Sequence, residues 1–277
     1  MSRIALLAVP LGILLAGGAS AQETQPSATP VSTTAASAAR TQAVPAAMTP
    51  RETAEMHGDI LMARKEYSAA IRTYLEILHN AKSDAVLLNK VGVAYQQLGD
   101  LSRAGHFYKE SAKADKRYVS AVNNLGTVEY EKKHYGKAIV LYKKAIPMGT
   151  DLSTVYSNLG YAYFANREYP QAMDSFNKAI AIDPHVFDRK SGAGTIVQQR
   201  STTDPGLFYF FVAKSYAMAG DVEETARYLK IARDDGYKDF MNAQTDPAFA
   251  KIIKDPRMQE VLQLPPSYAD GKKPSTN

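Results

Sequence analysis

The sequence contains no cysteine. Disulfides, thiolate catalysis and cysteine-based metal sites are excluded, so the folded part is held by packing alone. Histidine is sparse: His57, His79, His106, His134 and His185 form no HExxH and no pairing that sets two imidazoles on one helical face as ligands. His57 falls at a packing position and reads as an interior histidine. No GxSxG elbow and no GxxxxGK[ST] phosphate loop occur, and SGAGT lacks both the lysine and the strand-to-helix setting. Glu223 and Glu224 are explained by the first turn of a helix, where the dipole favours them. The chain therefore reads as non-enzymatic, with no catalytic residue, metal or cofactor. Neither sign of charge is concentrated: 33 basic and 28 acidic residues are interspersed to a formal net charge of +5. Without a basic stripe, nucleic acid is not expected as a partner.

What the sequence does have is a ladder of small residues. Gly58, Gly92, Gly126 and Gly160 recur every 34 residues, and Ala70, Ala104, Ala138 and Ala172 keep the same step. A fixed period of this length marks stacked helical hairpins. Tyr74, Tyr108, Tyr142 and Phe176 each follow their alanine by one helical turn on the same face. Small residues allow two helix backbones to cross closely, and the rings are expected to fill the gap between neighbouring units.

The stretch YSNLGYAYFANREYPQAMDSFNKAIAIDP is a complete unit, with Tyr156, Leu159, Gly160 and Tyr163 on a first helix, Ala172, Phe176 and Ala179 on a second, and Pro184 closing it. It resembles the tetratricopeptide repeat, with Tyr156 where that family usually has tryptophan. Residues 85–118 keep Leu88, Val91, Gly92, Tyr95, Ala104 and Tyr108, with Ser111 in place of the later alanine. Residues 119–152 keep Val122, Leu125, Gly126, Ala138 and Tyr142; residues 51–84 start weakly, as a solenoid end does. A fifth unit near 206–239, out of phase, has Ala213, Tyr216, Gly220 and Leu229 in register and Thr225 at the packing alanine. The resemblance implies an all-α fold: a right-handed superhelical solenoid of helix-turn-helix repeats over 51–264 with C-terminal capping helices.

The flanks carry other signals. Arg3, the apolar IALLAVPLGILLA and the small residues Ala19, Ser20 and Ala21 read as an export signal over 1–21, cut between Ala21 and Gln22. An uncleaved anchor is the alternative, although the apolar core is shorter than the roughly 20 residues a spanning helix needs. Export, to the periplasm or beyond, with no integral span after processing is the expectation. Residues 22–50, rich in Ala, Thr, Ser and Pro, are expected to stay unstructured. An insertion at 187–205 reads either as a gate over the groove or as a solvated link. DPAFAKIIK and DPRMQEVLQ each open with an Asp-Pro helix start. They predict two short capping helices over 246–264, ahead of a frayed tail at 265–277.

The resemblance also implies a ligand surface. In similar proteins the first helices line a concave groove, and the second, fifth, ninth, twelfth and thirteenth places of each repeat face a peptide or protein ligand. Those places bring Glu55 and Asp59 from the first repeat, Asn89, Val93 and Gln96 from the second, Asn123, Thr127, Tyr130 and Glu131 from the third, Ser157, Tyr161 and Phe164 from the fourth, and Phe210 and Lys214 from the fifth. Glu52, also in the first repeat, completes a groove that is acidic at its N-terminal end and aromatic towards its C-terminal end. Asn89, Gln96 and Asn123 suit the backbone of an extended peptide, and the rings offer apolar contact; the same rings also fit packing on one another or on the insertion. The carboxylate clamp of some family members needs Lys and Arg where this chain has Ser120, Asn124, Thr154 and Asn158. Self-association through the groove or the end helices remains the alternative to a foreign partner.

Overall fold

A computed structural model describes residues 48–80, 83–149, 152–188 and 204–263. Within these, helices follow one another as antiparallel pairs: α1 (Pro50–Ala63) with α2 (Tyr67–Asn80), α3 (Ala85–Gln97) with α4 (Leu101–Ala114), α5 (Val119–Glu131) with α6 (Tyr135–Ala145), and α7 (Ser153–Ala165) with α8 (Tyr169–Ile182). After the insertion come α9 (Pro205–Ala219), α10 (Val222–Asp234) and the short α11 (Pro256–Gln263). Each second helix also packs on the first helix of the next pair, so the fold is a tetratricopeptide-type solenoid. Among the described residues no helix is long and apolar enough to cross a membrane. The expected export signal and C-terminal tail lie outside the described residues, as do nearly all of the leader and the insertion.

Helix starts are written locally. Thr49 and Glu52 form a reciprocal capping box on α1. Asp84, Asp100, Asp204 and Asp221 each accept a backbone N–H in the first turn of α3, α4, α9 and α10. The turn inside each of the first four units is also repeated: Glu66, Asp100, His134 and Glu168 donate their N–H groups to Leu61, Tyr95, Glu129 and Tyr163. One residue there enters the left-handed region: Lys65, Lys133 and Arg167 at φ of 63°, 62° and 62°, and Gly99 at 77° in the matching place. This is the Schellman end of a helix, with basic side chains accepting a backbone that glycine takes without strain.

The rings lie elsewhere than the sequence pattern suggests. Tyr74, Tyr108, Tyr142 and Phe176 each sit on the glycine of their own unit, Gly58, Gly92, Gly126 and Gly160, rather than chiefly in the gap between units. A Cβ added at Gly92 or Gly126 would stand 2.6 Å from the facing ring, and the other two seats are as close. Glycine is thus required because an aromatic face occupies the space of its missing side chain. Phe176 does both jobs, since its ring also meets Phe187 and Phe208, 5.4 and 5.7 Å away. At the two places where a packing alanine is replaced, a hydroxyl is turned onto a carbonyl: Ser111 Oγ donates to Ala85, 2.6 Å, and Thr225 Oγ1 to Asp221.

Two further expectations are corrected. His57 is exposed, because the weak first unit turns that place to solvent. The first Asp-Pro segment makes only a 3-10 turn, Pro247–Phe249, although Asp246 caps it as expected through the Ala248 N–H, 2.9 Å. The next proline, Pro256, disfavours helix at Asp255 and leaves too little chain to propagate one. Both pieces still close the array: Phe249, Met258, Val261 and Leu262 are buried in its core. Arg233 of α10, itself buried, donates to the Val261 carbonyl at 3.1 Å.

The glycine seats predict a contrast in urea unfolding. Gly92→Ala, which drives a methyl into the Tyr108 ring, should lose about 1–3 kcal/mol. Gly105→Ala in α4, whose new Cβ meets Val128 at an ordinary 3.6 Å, should gain about 0.5–1 kcal/mol from helix propensity.

Candidate functional site

The first helices α1, α3, α5 and α7 run side by side, and their facing side chains are joined by a rule of 35 residues. Lys90 Nζ bonds Glu55 at 2.7 Å, Asn124 Nδ2 donates to Asn89 Oδ1 at 3.0 Å, and Asn158 Nδ2 donates to Asn123 Oδ1 at 3.0 Å. Gln96 Nε2 donates to Glu131 with the same separation. The offset is one residue longer than the repeat because the sixth place of one unit lies against the fifth place of the unit before it, and, for Gln96 and Glu131, the thirteenth against the twelfth. Asn123 Nδ2 also donates to Asn124 Oδ1 at 3.3 Å, so an unbroken line of amides crosses α3, α5 and α7. Cooperative chains of this kind hold their members in one orientation.

Hydroxyls from the glycine-seated rings reach the same face from behind. Tyr74 donates to Asp59 at 2.7 Å, Tyr108 to Gln96 at 2.6 Å, and Tyr142 shares a bond with Thr127 at 3.2 Å. Burial pushes the Tyr74 and Tyr108 phenols far above their usual range. Burial also pulls the Lys90 ammonium down, but its bonds to Asp59 and Glu55 outweigh this and hold it above its ordinary value. Burial holds the Glu131 carboxyl above the usual carboxylate range, against the lowering effect of the Gln96 bond.

These groups frame an open cavity of about 420 Å³ between α3, α5 and α7. Five of the expected groove residues meet there: Asn89, Val93, Gln96, Asn123 and Thr127. Glu55 and Asp59 lie one helix away, already bound to Lys90, with Asp59 at 2.9 Å. Place within a repeat marks Asn124 only as a clamp position that lacks its cation; the 35-residue spacing of its amide from Asn89 is the signal for its role here. The exposed Gln97 and Ser120, together with Asn89 Nδ2, keep hydrogen-bonding capacity among the described residues.

At the aromatic end the rings take the packed alternative and not the open one. Tyr130, Tyr161, Phe164 and Phe210 are all buried. Tyr161 stacks on Phe208 at 4.8 Å, and Phe164 meets Tyr169, Phe208 and Phe211 edge-on within 5.7 Å. Tyr130 packs on Tyr135 at 5.3 Å, and Phe210 lies between Tyr237 and Phe249. Ser157 is buried and bonds the Thr154 carbonyl at 3.0 Å, while Lys214 pairs with Asp246 at 2.7 Å. For Tyr161, Phe164 and Phe210 the cause is in the sequence of α7 and α9, whose apolar residues are spread round the helix and not confined to one face, so that these helices pack on several sides. The groove is therefore open and polar across α3, α5 and the near side of α7, and filled by its own side chains beyond.

Models of the tetratricopeptide repeat match residues 85–118 and 153–186. The chain is 34% identical over 98 residues to the uncharacterized protein ycf37 of Pyropia yezoensis, covering 32% of this chain and 55% of that protein. It is 32% identical over 89 residues to the heat-shock protein cognate co-chaperone sgt12 of Aspergillus fumigatus, covering 32% of this chain and 26% of the relative. The chain thus spans about half and about a quarter of the length of these two curated relatives. Among solved structures, PilF of Pseudomonas aeruginosa is similar in fold, with a TM-score of 0.52 at 16% identity over 76% of this chain and 95% of that one.

If the amide line organises the groove, cutting its centre must be felt in stability. Asn123→Ala leaves the buried Asn158 amide without its acceptor and should cost about 1–3 kcal/mol in urea unfolding. Ser120→Ala on the exposed rim should stay within about 0.5 kcal/mol.

Proposed function

We propose that this tetratricopeptide-repeat protein is an exported, non-enzymatic adaptor of the cell envelope that holds an extended peptide segment of another protein in the cavity between α3, α5 and α7. Tetratricopeptide repeats and the fold support an interaction scaffold; the amide-lined cavity is the observation that carries the finer reading. An extended backbone presents alternating N–H and C=O groups, and side-chain amides both donate and accept. Val93, Leu152 and Val155 in the same lining suit small apolar side chains. Because the amide line and the tyrosine hydroxyls fix the floor before binding, little ordering cost remains at the moment of capture. A C-terminal carboxylate is not the ligand favoured here: Asn124 and Asn158 stand where its cationic partners would be, and their Nδ2 groups are taken by neighbouring repeats. The filled aromatic end acts as the wall at which the bound segment stops.

Export rests on the N-terminal pattern around Arg3, the apolar run and Ala21. Mass spectrometry of the protein purified from an envelope fraction should find Gln22 as the first residue; a chain beginning at Met1 there would contradict processing.

Partner capture is tested by photo-crosslinking in cells. A benzoylphenylalanine at Gln97, on the groove rim, should give a discrete adduct with another protein, and the same group at Val140, 65% exposed on α6, should not. Adducts at Val140 alone would move the binding surface off the groove.

A further inference from the structure

The acidic residues of the groove are not equivalent. Glu52 is used in the capping box of α1, and Glu55 and Asp59 share the Lys90 ammonium. Glu131 differs from all three. It is half-buried, accepts one hydrogen bond from Gln96, and has no Lys, Arg or His within ion-pair distance among the described residues. Lys132 and Lys133 follow it in the chain, yet neither pairs with it. Its orientation is set by a relay: the Tyr108 hydroxyl donates to Gln96 Oε1, which leaves the Gln96 N–H groups to face Glu131. Both Tyr108 and Gln96 line the cavity, so this carboxylate is held at its edge.

A partly desolvated carboxylate without a counter-charge is a cost to the free protein that an incoming cation relieves. We infer that Glu131 is the recognition point for a lysine or arginine side chain carried by the peptide segment that occupies the adjoining amide-lined cavity. The inference rests on the groove reading above and adds the chemistry of the segment: polar backbone contacts across α3 and α5, and one basic side chain directed to the end of α5. The wider charge pattern agrees. Although the whole chain carries +5, Glu55 and Asp59 on α1 and Glu131 on α5 stand on this face against the Lys90 ammonium of α3. A basic segment is drawn to that face, and an acidic one is repelled.

The test uses the folded full-length protein, nitrogen-15 labelled, and two probes: acetyl-Ala-Ser-Arg-Ala-Ser-amide and the same peptide with citrulline, which keeps the shape of arginine without its charge. The arginine peptide should shift the amide resonances of α3 and α5 around Gln96 and Glu131 and bind about tenfold more tightly than the citrulline peptide, the scale of one charge-assisted hydrogen bond. Glu131→Gln keeps an acceptor for Gln96 and should abolish the preference, so that the variant binds the arginine and citrulline peptides with equal affinity. Equal affinity of the wild type for both peptides, or a preference that survives Glu131→Gln, overturns the role of Glu131 and leaves the groove reading standing. Shifts confined to residues outside α3, α5 and α7, or no shift with either peptide at millimolar concentration, overturn both.

Discussion

The seating of an aromatic ring on a bare glycine backbone is the contact on which the rest of this structure depends. In four successive units the ring of the second helix fills the space where the first helix would carry a side chain. This fixes how closely the two helices approach, and therefore where the next unit can stack. It has a second effect at the functional face. Because the ring passes so near the backbone, its hydroxyl emerges on the far side, where Tyr74, Tyr108 and Tyr142 bond Asp59, Gln96 and Thr127. Fold and groove are thus coupled through the same side chains.

Stacking at that fixed distance brings the fifth and sixth places of adjacent units together. The amides found there tie α3, α5 and α7 into one polar floor, and a neighbouring glutamine holds Glu131 at its edge. In the fourth unit Ser157 turns its hydroxyl to its own helix instead, and the line ends. Beyond it, Tyr161, Phe164 and Phe208 close the face with rings. The polar floor and the cluster of rings therefore lie side by side, and the division between them falls within α7.

Much of this was legible in the sequence, and the rest was hidden for identifiable reasons. Gly160, Ala172 and Phe176 announce their unit because a hairpin crossing tolerates few alternatives. Position within a repeat leaves the aromatic end with two readings, open rings or packed ones, and the composition of the helices decides for packing: the groove places Tyr161, Phe164 and Phe210 lie on helices whose apolar residues are spread round the axis. The amide line escaped notice because its spacing of 35 is a property of two stacked units, invisible while each is aligned with itself at 34. The first capping segment shows a limit of local signals. Asp246 and Pro247 start a helix correctly, but the next Asp-Pro pair stops it, and a start signal carries no information about length.

If the groove floor is ordered before any ligand arrives, the side-chain amide protons of the free protein will report it by their exchange with solvent. The Nδ2 protons of Asn124 and Asn158 should exchange with solvent at least about tenfold more slowly than those of the exposed Gln97, as expected of bonds that open only with local unfolding. Equal rates at all three residues would mean that the amides are not held, and that the floor forms only on binding.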